Sequence, residues 1–350
     1  MSGRIHIVAA GGRTALGLRA ATSASAFRAG ISAVREHPFM IDQSGDPMSA
    51  ALDSQLDPAL VGPDRFLALA ESALHEACAP LEGASAPRAV PVLVGLPELR
   101  PGFTAADAEM IRKGLAQVDG LPFGVSDPQI STQGHAAGLS ALAHASDRME
   151  QGEFEVCLVG GVDSYFQPET LEWLDENRQL AGAISRSAFV PGEGAGFCLL
   201  MTERALNRFG VSASARVLSA ATGRETQLIK TQNLCLGAGL TDVVDRAVVG
   251  LKERGETISE VICDINGERY RGEEWGFVCL RLSNYFDDPT AYWSPADCWG
   301  DVGAASGPLF AMLACEAASR GYAKGPLAML WAGSENGLRA AVVIDTTGTR

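Results

Sequence analysis

The chain has 350 residues, of which 47% are hydrophobic and 20% charged, and its formal net charge is −14. A chain of this length buries roughly 75% of the surface of its unfolded form, enough for a large globular core. The negative charge and the lack of any Lys/Arg run argue against nucleic acid or an anionic membrane as a partner. No apolar run approaches the length of a membrane span and no signal-peptide pattern is present, so we expect a cytoplasmic protein.

The first elements of the chain predict an α/β protein. A buried strand from Arg4 to Ala10 is followed by a glycine turn from Gly11 to Gly17. The turn lacks the lysine of a P-loop and the spacing of a dinucleotide-binding fingerprint, so it does not predict a nucleotide site. Next we expect a helix from Thr22 to Ala33, with one of its first two residues as N-cap, and a surface connection from Pro38 to Pro63. An amphipathic helix from Arg65 to Cys78 follows.

The most informative stretch runs from residue 130 to residue 166 and has the pattern strand, tight turn, helix, strand. A short strand from Ile130 to Thr132 leads into a helix, and Gly134 and Gly138 bracket the sharp turn at which that helix begins. The second strand, Val156 to Val159, is a continuous apolar run that we expect a glycine pair to end. Such a run is typical of a strand covered on both faces, as in a parallel sheet. The turn places His135 at a helix N-terminus deep in the fold.

A small-residue segment precedes the end of the first half. Residues 188–196 read AFVPGEGAG, and a strand from Phe197 to Met201 follows. The small residues would let this strand pass close to neighbouring backbone, and Glu193 is interpreted as a buried, satisfied carboxylate.

Helices and strands also alternate in the later part of the chain. An amphipathic helix from Leu240 to Arg254 is predicted, and a strand from Val261 to Ile265 leads to Asn266. The glycine-rich segment from Trp299 to Gly307 comes next. Two final strands, Leu327–Trp331 and Ala340–Ile344, flank a loop at residues 333–337.

Cysteine and histidine usage predicts no metal site and no cofactor. None of the eight cysteines forms a C-x-x-C pair, most lie inside apolar runs, and the five histidines are scattered. We therefore expect buried thiols in a reducing compartment. The cysteines are Cys78, Cys157, Cys198, Cys235, Cys263, Cys279, Cys298 and Cys315.

These segments together resemble the β-ketoacyl synthases of the thiolase superfamily. In that family a short strand leads into A-C-A-S-G at the start of a buried helix; here Gly134–Gly138 stand at that place, and residues 189–196 nearly reproduce a further family motif. The resemblance extends from residue 4 to about residue 346. It implies an α/β thiolase-like fold of two similar halves in a five-layered αβαβα sandwich. We place the halves at residues 1–207 and 208–350.

The resemblance also implies a degenerate catalytic site. His135 stands where the family has its nucleophilic cysteine, and Asn266 stands where it has its first catalytic histidine. The second histidine aligns with Gly300, or with Asp301 if the register slips by one. Claisen condensation should be lost without the thiol and both histidines, so we assign no catalytic residue to these positions. The helix N-terminus disfavours an imidazolium, which predicts a neutral His135.

Two functions remain open. The first is a non-catalytic 3-oxoacyl-ACP synthase-like protein that acts as a binding or scaffolding subunit. It would be a homodimer, or a heterodimer with a synthase, paired through the sheet edge at residues 129–132. Its further partner would be an acyl carrier protein or a protein client. Degenerate thiolase-like proteins resembling this chain are encoded beside effectors and adaptors in type VI secretion clusters, which is the basis for a client.

The second function is enzymatic. The chain would be an acyltransferase, a 3-oxoacyl synthase-like enzyme, or a thioester hydrolase or decarboxylase. His135 would accept the acyl group or act as a base, with Asn266 as an oxyanion donor.

Overall fold

The computed structural model describes residues 4–83, 89–183, 185–228 and 234–348. The strands up to residue 202 are β1 Ile5–Thr14, β2 Arg35–Ile41, β3 Pro47–Ala50, β4 Ala89–Val90, β5 Val92–Gly95, β6 Gly124–Val125, β7 Gln129–Ser131, β8 Val156–Ser164 and β9 Glu193–Thr202. The helices up to residue 209 are α1 Ala20–Arg28, α2 Gly62–Cys78, α3 Ala105–Leu115, α4 Ala137–Glu150, α5 Pro168–Glu176 and α6 Glu203–Phe209.

The remaining part of the chain has fewer strands. They are β10 Ala215–Arg224, β11 Glu260–Cys263, β12 Leu327–Gly333 and β13 Leu338–Asp345. The helices are α7 Ala238–Ala247, α8 Val249–Arg254, α9 Arg269–Leu282, α10 Ala296–Trp299 and α11 Ser306–Ser319. Short 3₁₀ turns lie at Ala79–Leu81, Gly134–Ala136, Ser283–Tyr285 and Gly303–Ala305.

One mixed sheet of nine strands, ordered β11-β12-β13-β10-β1-β9-β8-β5-β7, forms the framework. The sheet has two arms, β1-β9-β8-β5-β7 and β10-β13-β12-β11, and the strand directions follow the same order in both. In the first arm, β9 pairs antiparallel with β1 and with β8, and β5 pairs in parallel with β8 and with β7. In the second arm, β13 pairs antiparallel with β10 and with β12, and β11 pairs in parallel with β12. The arms are joined where Ile5–Ile7 of β1 pair with Ala215–Val217 of β10.

The helices complete five layers. Helices α4 and α11 lie between the two arms of the sheet, because α4 contacts β5 and β8 on one arm and β10 and β13 on the other. Helices α2 and α3 cover the outer face of the first arm, and α7 and α9 cover the outer face of the second. The predicted αβαβα thiolase-like sandwich is confirmed. The predicted division at residue 207 falls within α6 and stays a prediction.

The small residues of the AFVPGEGAG segment have the structural role that was predicted. A Cβ at Gly196 would lie 2.9 Å from the backbone nitrogen of Leu309 in α11, so only glycine allows strand and helix to approach this closely. Glu193 is fully buried and accepts hydrogen bonds from Arg65 Nε at 2.6 Å and Ser164 Oγ at 2.7 Å. Its interpretation as a satisfied buried carboxylate is confirmed.

Two predicted strand ends are wrong. Strand β1 continues through the glycine pair at residues 11–12 as far as Thr14, and a tight turn closes only at Gly17. Strand β8 likewise runs through Gly160 and Gly161 to Ser164, since these glycines accommodate neighbouring atoms of β9 and of the Gly303–Ala305 turn. The extension of β8 carries Asp163 into the interior. Because β8 is antiparallel to β9, the sheet is mixed and not parallel.

Other boundaries also differ from the prediction. The connection predicted from Pro38 to Pro63 contains most of the β2–β3 hairpin. Helix α1 begins at Ala20 with Arg19 as its N-cap, and it ends at Arg28. The helix predicted from residue 240 to residue 254 is broken into α7 and α8 at Val248, whose φ and ψ of −93° and 0° depart from helical values. Among the described helices, none is long and apolar enough to cross a membrane.

Candidate functional site

His135, Asn266 and Asp301 come from three separate segments and meet in the interior. His135 lies in the 3₁₀ turn between β7 and α4, where Gly134 has a φ of +71°. Asn266 follows β11, and Asp301 lies between α10 and the turn that begins α11. The exposed fractions of the three residues are 8%, 8% and 3%. The sequence therefore identified three positions that the fold brings together.

Asp301 is the centre of this cluster. Its carboxylate oxygens each lie 2.9 Å from Nε2 of His135, and Oδ2 accepts a hydrogen bond from Nδ2 of Asn266 at 2.5 Å. Oδ1 also accepts hydrogen bonds from the backbone N–H of Gly303 at 2.7 Å and from the hydroxyl of Tyr165 at 3.3 Å. The acceptor capacity of this carboxylate is therefore taken up within the protein.

Gly300 has a different role from the other three predicted positions. It offers no side chain, its φ is +73°, and a Cβ there would lie 3.0 Å from Gly192 and from the carbonyl oxygen of Pro191. It packs backbone against backbone next to β9. Of the two registers left open by the sequence, the one at Asp301 puts a side chain in the site.

The predicted neutral state of His135 is wrong. Burial lowers the pKa of His135, but the carboxylates of Asp301 and Asp264 together raise that pKa above its usual value. Burial raises the pKa of Asp301, but His135, Arg271 and the hydrogen bond from Asn266 together hold it well below the usual range. The two groups form a buried ion pair. Only the helix N-terminus is visible in the sequence, because the distance between His135 and Asp301 is set by the tertiary fold.

A second ion-pair network holds Asn266 in place. The backbone N–H of Glu268 donates to Oδ1 of Asn266 at 3.0 Å, and Nδ2 of Asn266 donates to Oε2 of Glu268 at 3.2 Å. Arg271 donates to Glu268 at 3.2 Å and to Asp264 at 2.6 Å, and it also donates to the carbonyl oxygen of Gly333 at 2.7 Å. The amide is thus oriented by groups that are themselves fixed.

Three further residues, Arg100, Asp163 and Tyr165, lie beside the Asp301 cluster, and sequence reasoning missed all three. Arg100 donates to Asp163 at 2.7 Å and lies 4.2 Å above the ring of Tyr165. Asp163 also accepts a hydrogen bond from the backbone N–H of Ala304 at 2.9 Å. Burial raises the pKa of Asp163 and Arg100 opposes that shift. The only sequence signal was the position of Asp163 directly after the glycine pair and Val162.

Side chains also satisfy backbone donors around the loop at residues 333–337. Oγ of Ser334 accepts a hydrogen bond from the N–H of Ala136 at 2.9 Å, and Oε1 of Glu98 accepts one from the N–H of Asn336 at 3.1 Å. Burial raises the pKa of Glu98. Glu98 and Ser334 were not identified from the sequence.

A cavity of about 220 Å³ lies beside this cluster. Six of its lining residues are ionisable and four are apolar, so it differs from the apolar channel that an acyl chain requires. The lining residues are Glu98, Leu99, Arg100, Gly134, His135, Asp163, Tyr165, Trp173, Leu174, Phe189 and Glu335.

No cysteine is among the residues that line this cavity. Burial raises the pKa of the Cys157 thiol to about 12 and also raises the pKa of Cys298, the cysteine that precedes Asp301 most closely. These thiols are therefore protonated and poorly nucleophilic at neutral pH.

One group of possible metal ligands occurs elsewhere among the described residues. Ligand atoms of Glu225, Cys235 and Glu274 lie within 4.8 Å of one another. Arg339 already donates to both oxygens of Glu274 at 2.6 and 2.8 Å, and the N–H of Gly239 donates to Glu225 at 2.8 Å. With its carboxylates engaged in this way, the group makes a poor metal site.

Comparisons with known proteins agree with this architecture. Residues 122–205 match the family model described as beta-ketoacyl synthase, N-terminal domain. No curated protein sequence matches the chain. Among solved structures, the ketosynthase from module 6 of the bacillaene synthase from Bacillus subtilis 168 is 16% identical, with a TM-score of 0.78, over 98% of this chain and 72% of that one.

Two further solved structures come from assemblies. One is a type II PKS acyl-carrier protein in complex with its ketosynthase bound to the hexaketide, matched at 14% identity and a TM-score of 0.77 over 99% of this chain and 100% of that one. The other is the ishigamide ketosynthase/chain length factor, matched at 19% identity and a TM-score of 0.72 over the same shares. The chain therefore has the fold of these ketosynthase structures, and its match to the beta-ketoacyl synthase N-terminal family model is confined to residues 122–205.

Proposed function

We propose that this protein is a non-catalytic ketosynthase-like subunit that binds or scaffolds another protein. The observation that carries the proposal is the closed cluster around Asp301. Condensation needs an activated thiolate and donors that are free to stabilise a developing oxyanion. Here His135 replaces the thiol, and both His135 and Asn266 direct a nitrogen to Asp301.

The surrounding backbone supports the same proposal. An oxyanion hole needs N–H groups that point at the reacting oxygen. The N–H groups of Ala136 and Asn336 already donate to the side chains of Ser334 and Glu98. A substrate oxygen would have to displace these protein acceptors, which would remove much of the benefit of the site.

The proposed assembly is a dimer through β7. This strand is the last of the nine-stranded sheet and pairs only with β5 among the described strands, so its outer edge is open for pairing. A groove of about 340 Å³ runs beside it and is lined by Gln129 and by Ser140 and His144 of α4. A heterodimer with a synthase would use the same edge.

The proposed partner is a protein client, such as a secretion effector or adaptor, in preference to an acyl carrier protein. The charges on α5 support this order: Glu169, Glu172 and Glu176 are exposed on this helix, whose residues Trp173 and Leu174 line the cavity. Acyl carrier proteins are acidic, so like charges would oppose their docking against α5.

The proposed lack of catalysis is tested by a condensation assay. The purified protein is given acyl and malonyl thioesters of an acyl carrier protein and of CoA, and 3-oxoacyl products are measured by mass spectrometry. We expect no product above the protein-free background, and no difference between the native protein and His135→Ala. Product formation that disappears in His135→Ala would overturn the proposal.

A second candidate function is favoured by the cavity beside His135. A histidine paired with a carboxylate and facing a cavity is an arrangement that can transfer protons or acyl groups. The chain would then be an acyltransferase or a thioester hydrolase. Hydrolysis of acyl-CoA that is lost in both His135→Ala and Asp301→Asn would establish it, whereas equal rates in all three proteins would remove it.

A further inference from the structure

Helix α9 has an outer face that no other part of the described chain covers. Gly272, Gly276 and Leu280 follow one another at intervals of four residues and are all exposed, so they form one stripe along the helix. A Cβ at either glycine would meet no neighbouring atom within 4 Å, and neither glycine has a positive φ. The fold of the single chain therefore does not require glycine here, although each glycine weakens the helix relative to alanine.

Leu280 is the most exposed large apolar side chain in the described part of the chain, at 81%. A single exposed leucine is ordinary on a protein surface. This leucine differs because it stands beside a hollow, since Gly272 and Gly276 lack the side chains that would otherwise cover the helix there. The face thus carries a projecting apolar side chain and an empty space next to it.

The spacing of these residues makes the face complementary to itself. When two copies of α9 pack antiparallel about a two-fold axis at Gly276, each residue faces the residue equally far from the axis in the second copy. Leu280 then stands opposite Gly272, because each lies four residues from Gly276. A side chain inserted in this way enters a hole formed by residues i, i+3, i+4 and i+7 of the facing helix. These are Arg269, Gly272, Glu273 and Gly276 of the second copy.

The charges of α9 favour the antiparallel arrangement. Arg269 is the first residue of the helix, and its positive charge lies at the positive end of its own helix dipole, in a first turn that has no acidic residue. Its ion pair with Glu273, at 2.6 Å, holds its apolar stem along the helix surface at one side of the hole. In an antiparallel pair, Arg269 lies against the last turn of the second copy, where the carbonyl groups carry negative partial charge.

We propose that a second copy of this chain docks on α9, with Leu280 of each copy inserted over Gly272 of the other. Helix α9 covers the outer face of the second arm, whereas β7 ends the first arm. The contact is therefore separate from the dimer proposed through β7, and it would join such dimers into a larger assembly. The inference goes beyond the proposed function and does not depend on it.

The test is sedimentation equilibrium of the full-length protein from nanomolar to high micromolar concentration. Leu280→Glu should weaken self-association about 30-fold or more, because two leucines are buried in each contact. The matched control is Met110→Glu on α3, which adds the same charge at a side chain that is 50% exposed and should leave self-association unchanged. Equal masses of the native protein and Leu280→Glu at every concentration would overturn the inference, whatever happens at β7.

Gly276→Ala separates a docking role from a structural one. In the Leu280→Glu background the added methyl group enters open space and improves the helix, so the urea midpoint should rise. In the otherwise native chain the same methyl group keeps the two helices apart at the axis, so self-association should weaken about tenfold. Gly250→Ala, in α8, is the control and should leave self-association unchanged. Unchanged self-association in Gly276→Ala would overturn the inference.

An exchange of the two facing residues tests the pairing itself. Gly272→Leu sets two leucines against each other and Leu280→Gly sets two glycines against each other, so each single variant should weaken self-association. The double variant Gly272→Leu/Leu280→Gly again places a leucine opposite a glycine and should return to within about threefold of the native Kd. A double variant as weak as the single variants would overturn the proposed pairing. The condensation assay is independent of these measurements, so an active enzyme and a failed α9 contact give different results.

Discussion

The two 3₁₀ turns that begin the central helices share a backbone and differ in chemistry. Each turn follows a residue with nearly the same dihedral angles, φ −112° and ψ 12° at Gln133 against φ −110° and ψ 17° at Val302. Each starts with a glycine of positive φ and leads into a helix of 14 residues. The middle residue is His135 in the first turn and Ala304 in the second.

Each turn is also capped by the other half of the chain. Ser334, at the end of β12, accepts an N–H of the first turn, and Asp163, near the end of β8, accepts an N–H of the second. The backbone therefore repeats and each turn is capped from the other half, at its third residue in the first turn and at its middle residue in the second. The His135–Asp301 pair has no counterpart in the second turn, where Ala304 takes the place of the histidine. The comparison teaches that the framework is set by the repeat and that any function depends on side chains that break it.

The largest expected effect comes from removing the centre of the unique cluster. Asp301→Ala leaves a buried cationic His135 without its partner and takes away one of the two acceptors of the Asn266 amide. Breaking a buried pair in this way costs about 3–5 kcal/mol of unfolding free energy. The measurement is urea unfolding followed by circular dichroism. The double variant His135→Ala/Asp301→Ala should lose less than the sum of the single losses, and strict additivity would contradict the pairing.

The same pair predicts how stability depends on pH. Because the pKa of His135 is raised in the folded protein, the stability that His135 contributes is complete below its pKa in the unfolded chain, about 6.5. That stability is lost as the pH rises through the pKa of the folded protein. Because the pKa of Asp301 is lowered in the folded protein, the stability that Asp301 contributes is present above its pKa in the unfolded chain, about 3.9. That stability is lost as the pH falls through the pKa of the folded protein. The stability difference between native protein and double variant should therefore peak between roughly pH 4 and 6.5. A difference that grows steadily above pH 8 would be inconsistent with the ion pair.

Glycine substitutions compare the two turns directly. A Cβ at Gly303 would meet the carboxylate of buried Asp163, whereas a Cβ at Gly134 would lie 2.9 Å from the end of the Glu98 side chain. Alanine at a left-handed position costs about 1–2 kcal/mol in either turn. Glu98 can move away, but Asp163 is held by Arg100 and Ala304. We expect Gly134→Ala to cost about 1–2 kcal/mol and Gly303→Ala about 3 kcal/mol or more by urea unfolding, and the reverse order would contradict this account.

The sequence predicted the framework better than the site. Motifs around Gly134, Gly160 and residues 188–196 indicated a thiolase-like sandwich, because close backbone approach leaves a visible pattern of small residues. His135, Asn266 and Asp301 were found by their positions in these motifs. Arg100 and Glu98 were missed, since a polar residue after a short strand is ordinary in any surface loop. The charge state of His135 was missed because it depends on a contact 166 positions away in the chain.

The smallest expected effect tests the repeated cap. Ser334→Ala leaves the N–H of Ala136 buried without an acceptor, which costs about 1–2 kcal/mol of unfolding free energy. Ser25→Ala, on the exposed side of α1, is the control and should change stability by less than about 0.5 kcal/mol. Because the hydroxyl caps the backbone and does not contact the His135 pair in the described hydrogen bonds, the pH window of that pair should stay unchanged. If Ser334→Ala moved the window, the cap and the cluster would act as one network, and the separation between repeated framework and unique side chains would fail.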